Sequence, residues 1–174
     1  MLASSLPDGP ALLALEAEVR RSGTDLGAAD LHGCWQLDQV WPKGSRRPAS
    51  FSALLLRGLA ARLEIGPGGG AQPQGLTLSN AVNLGPVELR FRGPGRLQGR
   101  RPLLMFQFDQ LELRLAGRLL LQRALLAPAP HRQPFFALIA RGAVSAETGP
   151  AAAWLAARGR GGGLALWRLA TPRP

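Results

Sequence analysis

A chain of 174 residues, 46% hydrophobic and 18% charged, has the composition of one globular domain with enough bulk for its own core, not of a disordered segment. Its 21 basic against 11 acidic residues give a net charge of +10, which favours anionic membranes, nucleic acid or acidic partners. The single cysteine, Cys34, excludes an internal disulfide framework, and no apolar run reaches the ~18 residues that span a bilayer as a helix.

The first predicted element is a short helix in an N-terminal segment over 1–29. Asp8 caps it, Pro10 sits in its first turn, and Gly23 stops it. Leu12, Leu15 and Val19 fall on one face, and Glu16 pairs with Arg20 on another. A helix of about three turns is not stable alone, so it is expected to pack across or beside an open end of the domain that follows.

That domain is predicted over 30–170 and is mainly β. From Asp30 to Trp41 the residues alternate, with Leu31, Gly33, Trp35, Leu37 and Trp41 read on one face and His32, Cys34, Gln36 and Asp38 on the other. Gly33, two residues before an indole, marks a bend or a close backbone approach. Trp35 is expected to plug one end of a barrel. Further strands are expected at 51–57, 61–65, 76–84, 87–92, 103–108, 111–115, 135–140, 154–157 and 164–169. Val87, Leu89 and Phe91 alternate with Glu88, Arg90 and Arg92, and Leu111, Leu113 and Leu115 with Glu112 and Arg114. The glycine- and proline-rich stretches at 66–70, 93–95 and 158–163 read as turns or loops, and 127–134 as a surface crossing. Short, regularly spaced strands of this number predict one antiparallel barrel or sandwich.

Motifs for chemistry are sparse. His32, His131 and Cys34 are the only soft ligands, too few and too dispersed for a structural metal site. No Gly-x-Ser-x-Gly elbow occurs, and Asp109 and Glu112 read as solvated turn carboxylates. The 158–163 stretch lacks the Gly-Lys-Ser/Thr ending of a phosphate loop and reads as a hairpin loop. The arginines are scattered and the aromatics fall on apolar faces, which argues against a stacking platform for nucleic acid. What remains is a barrel interior that is either filled or holds one small ligand. The inward candidates that would line such a site are Trp35, Leu37, Phe51, Leu78, Val82, Phe91, Phe106, Phe108 and Trp167, with Leu76 and Leu89 beside them.

The order of short motifs resembles the plastid-lipid-associated protein, or fibrillin, family in its cyanobacterial form. The residues that carry the resemblance are Leu12-Leu13-Ala14-Leu15-Glu16 in the leading helix, Leu31-x-Gly33-x-Trp35-x-Leu37, Ser79-Asn80-x-Val82, Arg101-Pro102 leading to Phe108, and Phe135-Phe136-Ala137-Leu138-Ile139. The closing run from Arg158-Gly159-Arg160 through Gly161-Gly162-Gly163 to Leu164-Ala165-Leu166-Trp167 is the most telling. The likeness extends over about residues 10–170. It implies a lipocalin-like barrel without catalysis or cofactor, a lipophilic small molecule such as an isoprenoid, quinone or carotenoid as partner, and a cytoplasmic protein peripherally attached to a thylakoid membrane or lipid droplet, to which the basic exterior adds an attraction for anionic lipid. Plant members carry an acidic cluster before the closing Arg-Gly; here Ala151-Ala152-Ala153-Trp154 stands in its place. With no transit peptide before the helix, a bacterial member is expected. Two other readings stand beside this one. One is a filled barrel whose surface docks a partner enzyme of isoprenoid metabolism. The other is an RNA-binding module that uses the arginine surface.

Overall fold

The structure, a computed structural model, describes residues 5–45, 62–69, 75–144 and 152–170. Helix α1 (Gly9–Ser22) begins where the Asp8 side chain accepts a hydrogen bond from the Ala11 N–H at 2.9 Å. It ends at Gly23, whose φ of 81° lets its N–H reach back to the Val19 carbonyl. A one-turn helix, α2 (Ala28–Leu31), follows, so the predicted strand from Asp30 is corrected at its start: Leu31 closes a helical turn and β1 begins at Gly33.

The strands are β1 (Gly33–Trp41), β2 (Arg62–Pro67), β3 (Gly75–Leu84), β4 (Val87–Gln98), β5 (Leu103–Phe106), β6 (Gln110–Leu115), β7 (Arg118–Ala124), β8 (Phe135–Val144), β9 (Ala152–Gly159) and β10 (Leu164–Leu169). They form one antiparallel sheet in the order β3-β2-β1-β10-β9-β8-β5-β4-β6-β7, and a β3–β4 pairing closes eight of them into a ring. The predicted single antiparallel barrel with a short N-terminal helix is therefore what the chain forms. The predicted strand at 51–57, with Phe51, lies outside the described residues.

Two predicted strand limits are corrected. The 93–95 stretch is not a turn but lies inside β4. There β4 passes its second edge from β6, paired with Val87 to Arg92, to β5, paired with Gly95 to Gln98. Gln107 and Asp109 bridge the change by donating to the carbonyls of Pro94 and Arg92. A proline, which donates nothing to a ladder, is tolerated at this irregular point. A Cβ on Gly93 would lie 1.8 Å from the Gln107 carbonyl oxygen, so the crossing requires glycine. The second correction is β7, which the sequence reading did not place. β8 leaves β5 at Phe135, so β6 takes β7 instead and this hairpin departs from the ring.

A bulge in β1 between Leu37 and Gln39 reverses the pleat. Trp35 and Leu37 face the interior, whereas Trp41 turns outward, against the expectation that they share a face. On the outside Trp41 packs with Leu12 of α1, Ile139, Trp154, Leu164 and Leu166. Of the two placements expected, across or beside a barrel end, this second cluster rules out the first: α1 lies on the outer wall around β8–β10. The apolar stripe of α1 needs an apolar surface, and that wall supplies one. The helix is fastened by Glu16, which is 2% exposed. Its carboxylate accepts from Arg158 Nε at 2.7 Å and Nη2 at 2.5 Å, from Arg101 at 2.8 Å and from Arg20 at 3.0 Å.

Candidate functional site: a half-filled barrel with an apolar lip

The half of the barrel nearest the start of β1 is filled. Trp35 is fully buried there, and its indole N–H donates to the Leu31 carbonyl at 2.7 Å. Leu31, Ile65, Leu76, Leu78, Leu104 and Leu138 complete this part of the core. Gly33 makes the tight approach expected of it. Its φ is +142°, and an added Cβ would lie 2.4 Å from Leu169 Cδ1.

The other half opens into a cup of about 270 Å³. Leu37 and Val40 of β1, beside Ala165 and Trp167 of β10, line it together with Phe106, Phe108 and Phe136; Asn80 is its polar group, and Arg62 borders it while its side chain is held by Glu64 and Glu88. Ring centroids step from Phe91 to Phe108 (5.8 Å), Phe106 (5.3 Å), Phe136 (5.2 Å) and Trp167 (5.3 Å). These spacings suit offset and edge contacts between aromatic rings. Five rings thus run without a break from β4, beyond the rim, to the wall of the cup.

Beyond the rim the inner wall continues as an apolar lip built from the hairpins β3–β4 and β6–β7. Cross-strand pairing aligns Val82, Leu89, Leu113 and Leu121 in one row and Leu84, Val87 and Leu115 in the next. Among the described residues no layer covers the outer row: Leu84 is 65% exposed and Leu115 42%. The opposite face carries the charges, and they are the better buried. Arg90 pairs with Glu64 and Glu88 at 3.1 and 3.0 Å, and Arg62 reaches both of the same carboxylates. Burial opposes the charge on Arg90, but the hydrogen bond to Glu88 and the field of Glu64 hold its pKa above the ordinary value. Glu112, 4% exposed, pairs with Arg114 at 2.8 Å and Arg92 at 3.6 Å. The expectation of a solvated turn carboxylate at Glu112 is therefore corrected: it lies within β6 under two guanidinium groups.

Of the residues named from sequence, Leu37, Phe106, Phe108 and Trp167 come together around the cup. Val82 and Phe91 lie on the wall above it. Trp35 and Leu78 do not line the cup and are fully buried in the core cluster. Phe51 lies outside the described residues. The sequence reading missed Val40, Arg62, Leu63, Asn80, Phe136 and Ala165 as lining residues. Val40 faces inward only because of the β1 bulge, whereas Phe136 alternates with Ala137 and was recoverable from the period of two.

The remaining motifs are accounted for by structure. His32 ends α2 and precedes the strand, so it does not share a strand face with Cys34 as expected. Among the described residues no group of three or more His, Cys, Asp or Glu side chains could hold a metal ion. In the β9–β10 hairpin Arg158 is held by Glu16 and the Gly162 carbonyl, and Arg160 donates to the carbonyls of His131 and Gln133. No family model, curated protein or solved structure matches the chain.

Proposed function

We propose that this protein binds a lipophilic small molecule in the cup, without catalysing a reaction, while peripherally attached to an anionic membrane. The observation that carries the proposal is the uninterrupted apolar path from the exposed lip along five aromatic rings into the cup. A volume of about 270 Å³ lies at the lower edge of the roughly 300–1,000 Å³ usual for small-molecule sites. The cup therefore seats a ring or chain end, and the rest of a longer molecule lies along the lip. Each 100 Å² of ligand surface removed from water contributes about 2.5 kcal/mol before the costs of association. The resemblance to plastid-lipid-associated proteins supports isoprenoids, quinones or carotenoids as the class, and a thylakoid or lipid-droplet surface as the place. Among the described residues no helix is long and apolar enough to cross a membrane.

The test is titration with a fluorescent polyene fatty acid. Wild-type protein gives saturable binding, and Ala165→Phe, which puts a ring into the cup, weakens it about tenfold or more with little change in melting temperature. Equal binding by both proteins removes the cup as the site. The exposed leucines favour a second reading, a surface that docks a partner enzyme. That reading predicts that Ala165→Phe leaves partner binding intact.

A further inference from the structure

We infer that β7 and the two hairpin turns beside it seat the protein in the interfacial layer of an anionic bilayer, so that the mouth of the cup opens onto lipid and not onto water. The seating rests on the membrane attachment proposed above, for which it names the surface; the passage of cargo through it rests on the cup being the binding site.

The argument starts with the edge of the sheet. β7 is the terminal strand, and all seven of its residues are exposed. Soluble proteins usually blunt such an edge with charge, proline or a cover. Here the middle of the strand is Leu119-Leu120-Leu121, exposed by 49, 59 and 53%. The pairing of Leu121 with Leu113 places it on the inner face, and the pairing of Leu119 with Arg114 places it on the outer face. Leu120 stands at the register shift between them. A protein partner lying on a sheet covers one face. An apolar layer of fluid side chains, as in a lipid leaflet, covers both. Leu126, 97% exposed, and Leu84 at the neighbouring turn extend the same apolar margin.

Charge identifies the kind of surface. The hairpin from Gln110 to Ala124 holds Arg114, Arg118 and Arg123 against Glu112, three positive charges less one negative, or +2. Glu112 is neutralised by Arg92 and Arg114. Among the described residues Arg118 and Arg123, which bracket the leucines, have no ion pair. Long cationic side chains beside an apolar strip reach up to anionic headgroups while their stems stay in the apolar layer. The free edge of β7 also sets the depth. Its backbone N–H and C=O groups need hydrogen bonds that the hydrocarbon core cannot give, so the strand sits at the headgroup boundary, about 5–10 Å in.

The experiment uses the full chain with vesicles of phosphatidylcholine alone and of phosphatidylcholine mixed with phosphatidylglycerol. An environment-sensitive fluorophore on Leu120→Cys, in a Cys34→Ser background, shifts to the blue with the mixed vesicles. The double variant Leu119→Glu/Leu120→Glu, on the outer face and at the register shift and so off the lip, loses vesicle binding by about tenfold or more. Arg118→Gln and Arg123→Gln each lose about fivefold on mixed vesicles at low salt. Polyene fatty acid binding without vesicles is unchanged in the leucine double variant. Wild-type vesicle affinity in that variant, or a label that stays in water, overturns the inference and leaves the cup untouched. A dimer in solution that the double variant splits also overturns it, because the leucines then meet a second copy. Vesicle binding with no saturable probe binding by wild-type protein retains the seating and overturns the cargo.

Discussion

The buried carboxylate of Glu16 gives the sharpest test of how the outer layer is held. In Glu16→Ala three guanidinium groups lose their shared partner. Arg20 is 56% exposed and returns to water at almost no cost. Arg158 and Arg101 have side chains 21 and 30% exposed, so water reaches them only in part. A hydrogen bond to a charged group contributes about 1.5–3 kcal/mol, and breaking a fully buried pair costs about 3–5 kcal/mol. With two partly hydrated partners the loss comes to about 2–3 kcal/mol. For a domain of this size that lowers the melting temperature by about 4–12 °C. The loss depends on pH in a defined direction. The Arg158 hydrogen bonds, and Arg20 beside them, hold the Glu16 pKa below the ordinary value of 4.5 against the opposing effect of burial. A depressed folded-state pKa means that the stabilisation is complete above the unfolded value and disappears as pH falls through the folded one. Urea unfolding of wild type, Glu16→Ala and Glu16→Gln at pH 7 and at pH 3 measures it. The gap between wild type and Glu16→Gln narrows at the lower pH. A gap that is absent at pH 7, or equal at both pH values, refutes the account.

Three further outcomes follow from local geometry. Gly93→Ala drives a methyl group into the Gln107 carbonyl and costs about 3 kcal/mol by thermal unfolding, whereas Gly66→Ala, with open space at its Cβ, changes stability by less than about 0.5 kcal/mol. Trp35→Phe leaves the Leu31 carbonyl without its 2.7 Å donor and opens a void, lowering stability by about 2–3 kcal/mol with an unchanged urea m-value. Burial, with the Glu64 charge added to it, pushes the Cys34 thiol above its ordinary value. Its alkylation rate therefore still rises beyond about pH 8.5, and a plateau below that pH contradicts the assignment.

Much of the architecture was legible along the chain. The caps of α1 were written in Asp8, Pro10 and Gly23. The alternation in β4 and β6 gave the two faces of those strands correctly, and the pattern reached an antiparallel barrel with Trp35 inside it. What alternation does not give is the sign of the environment on each face. In β6 Glu112 is buried and Leu115 is open, because the arginines of β4 and β6 cover Glu112 while no described residue covers Leu115. Bulges are also hidden from a simple period. One extra residue in β1 turned Val40 into the cup and Trp41 onto α1.

The sequence by itself determined the period of each segment, its ends, and hence the class of fold, since these depend on neighbours in the chain. Only the tertiary structure decided that Glu16 is buried, that the barrel is filled in one half and open in the other, and that the leucines of β7 face solvent. Each of these depends on which distant element covers a surface, and that is a matter of layers and register.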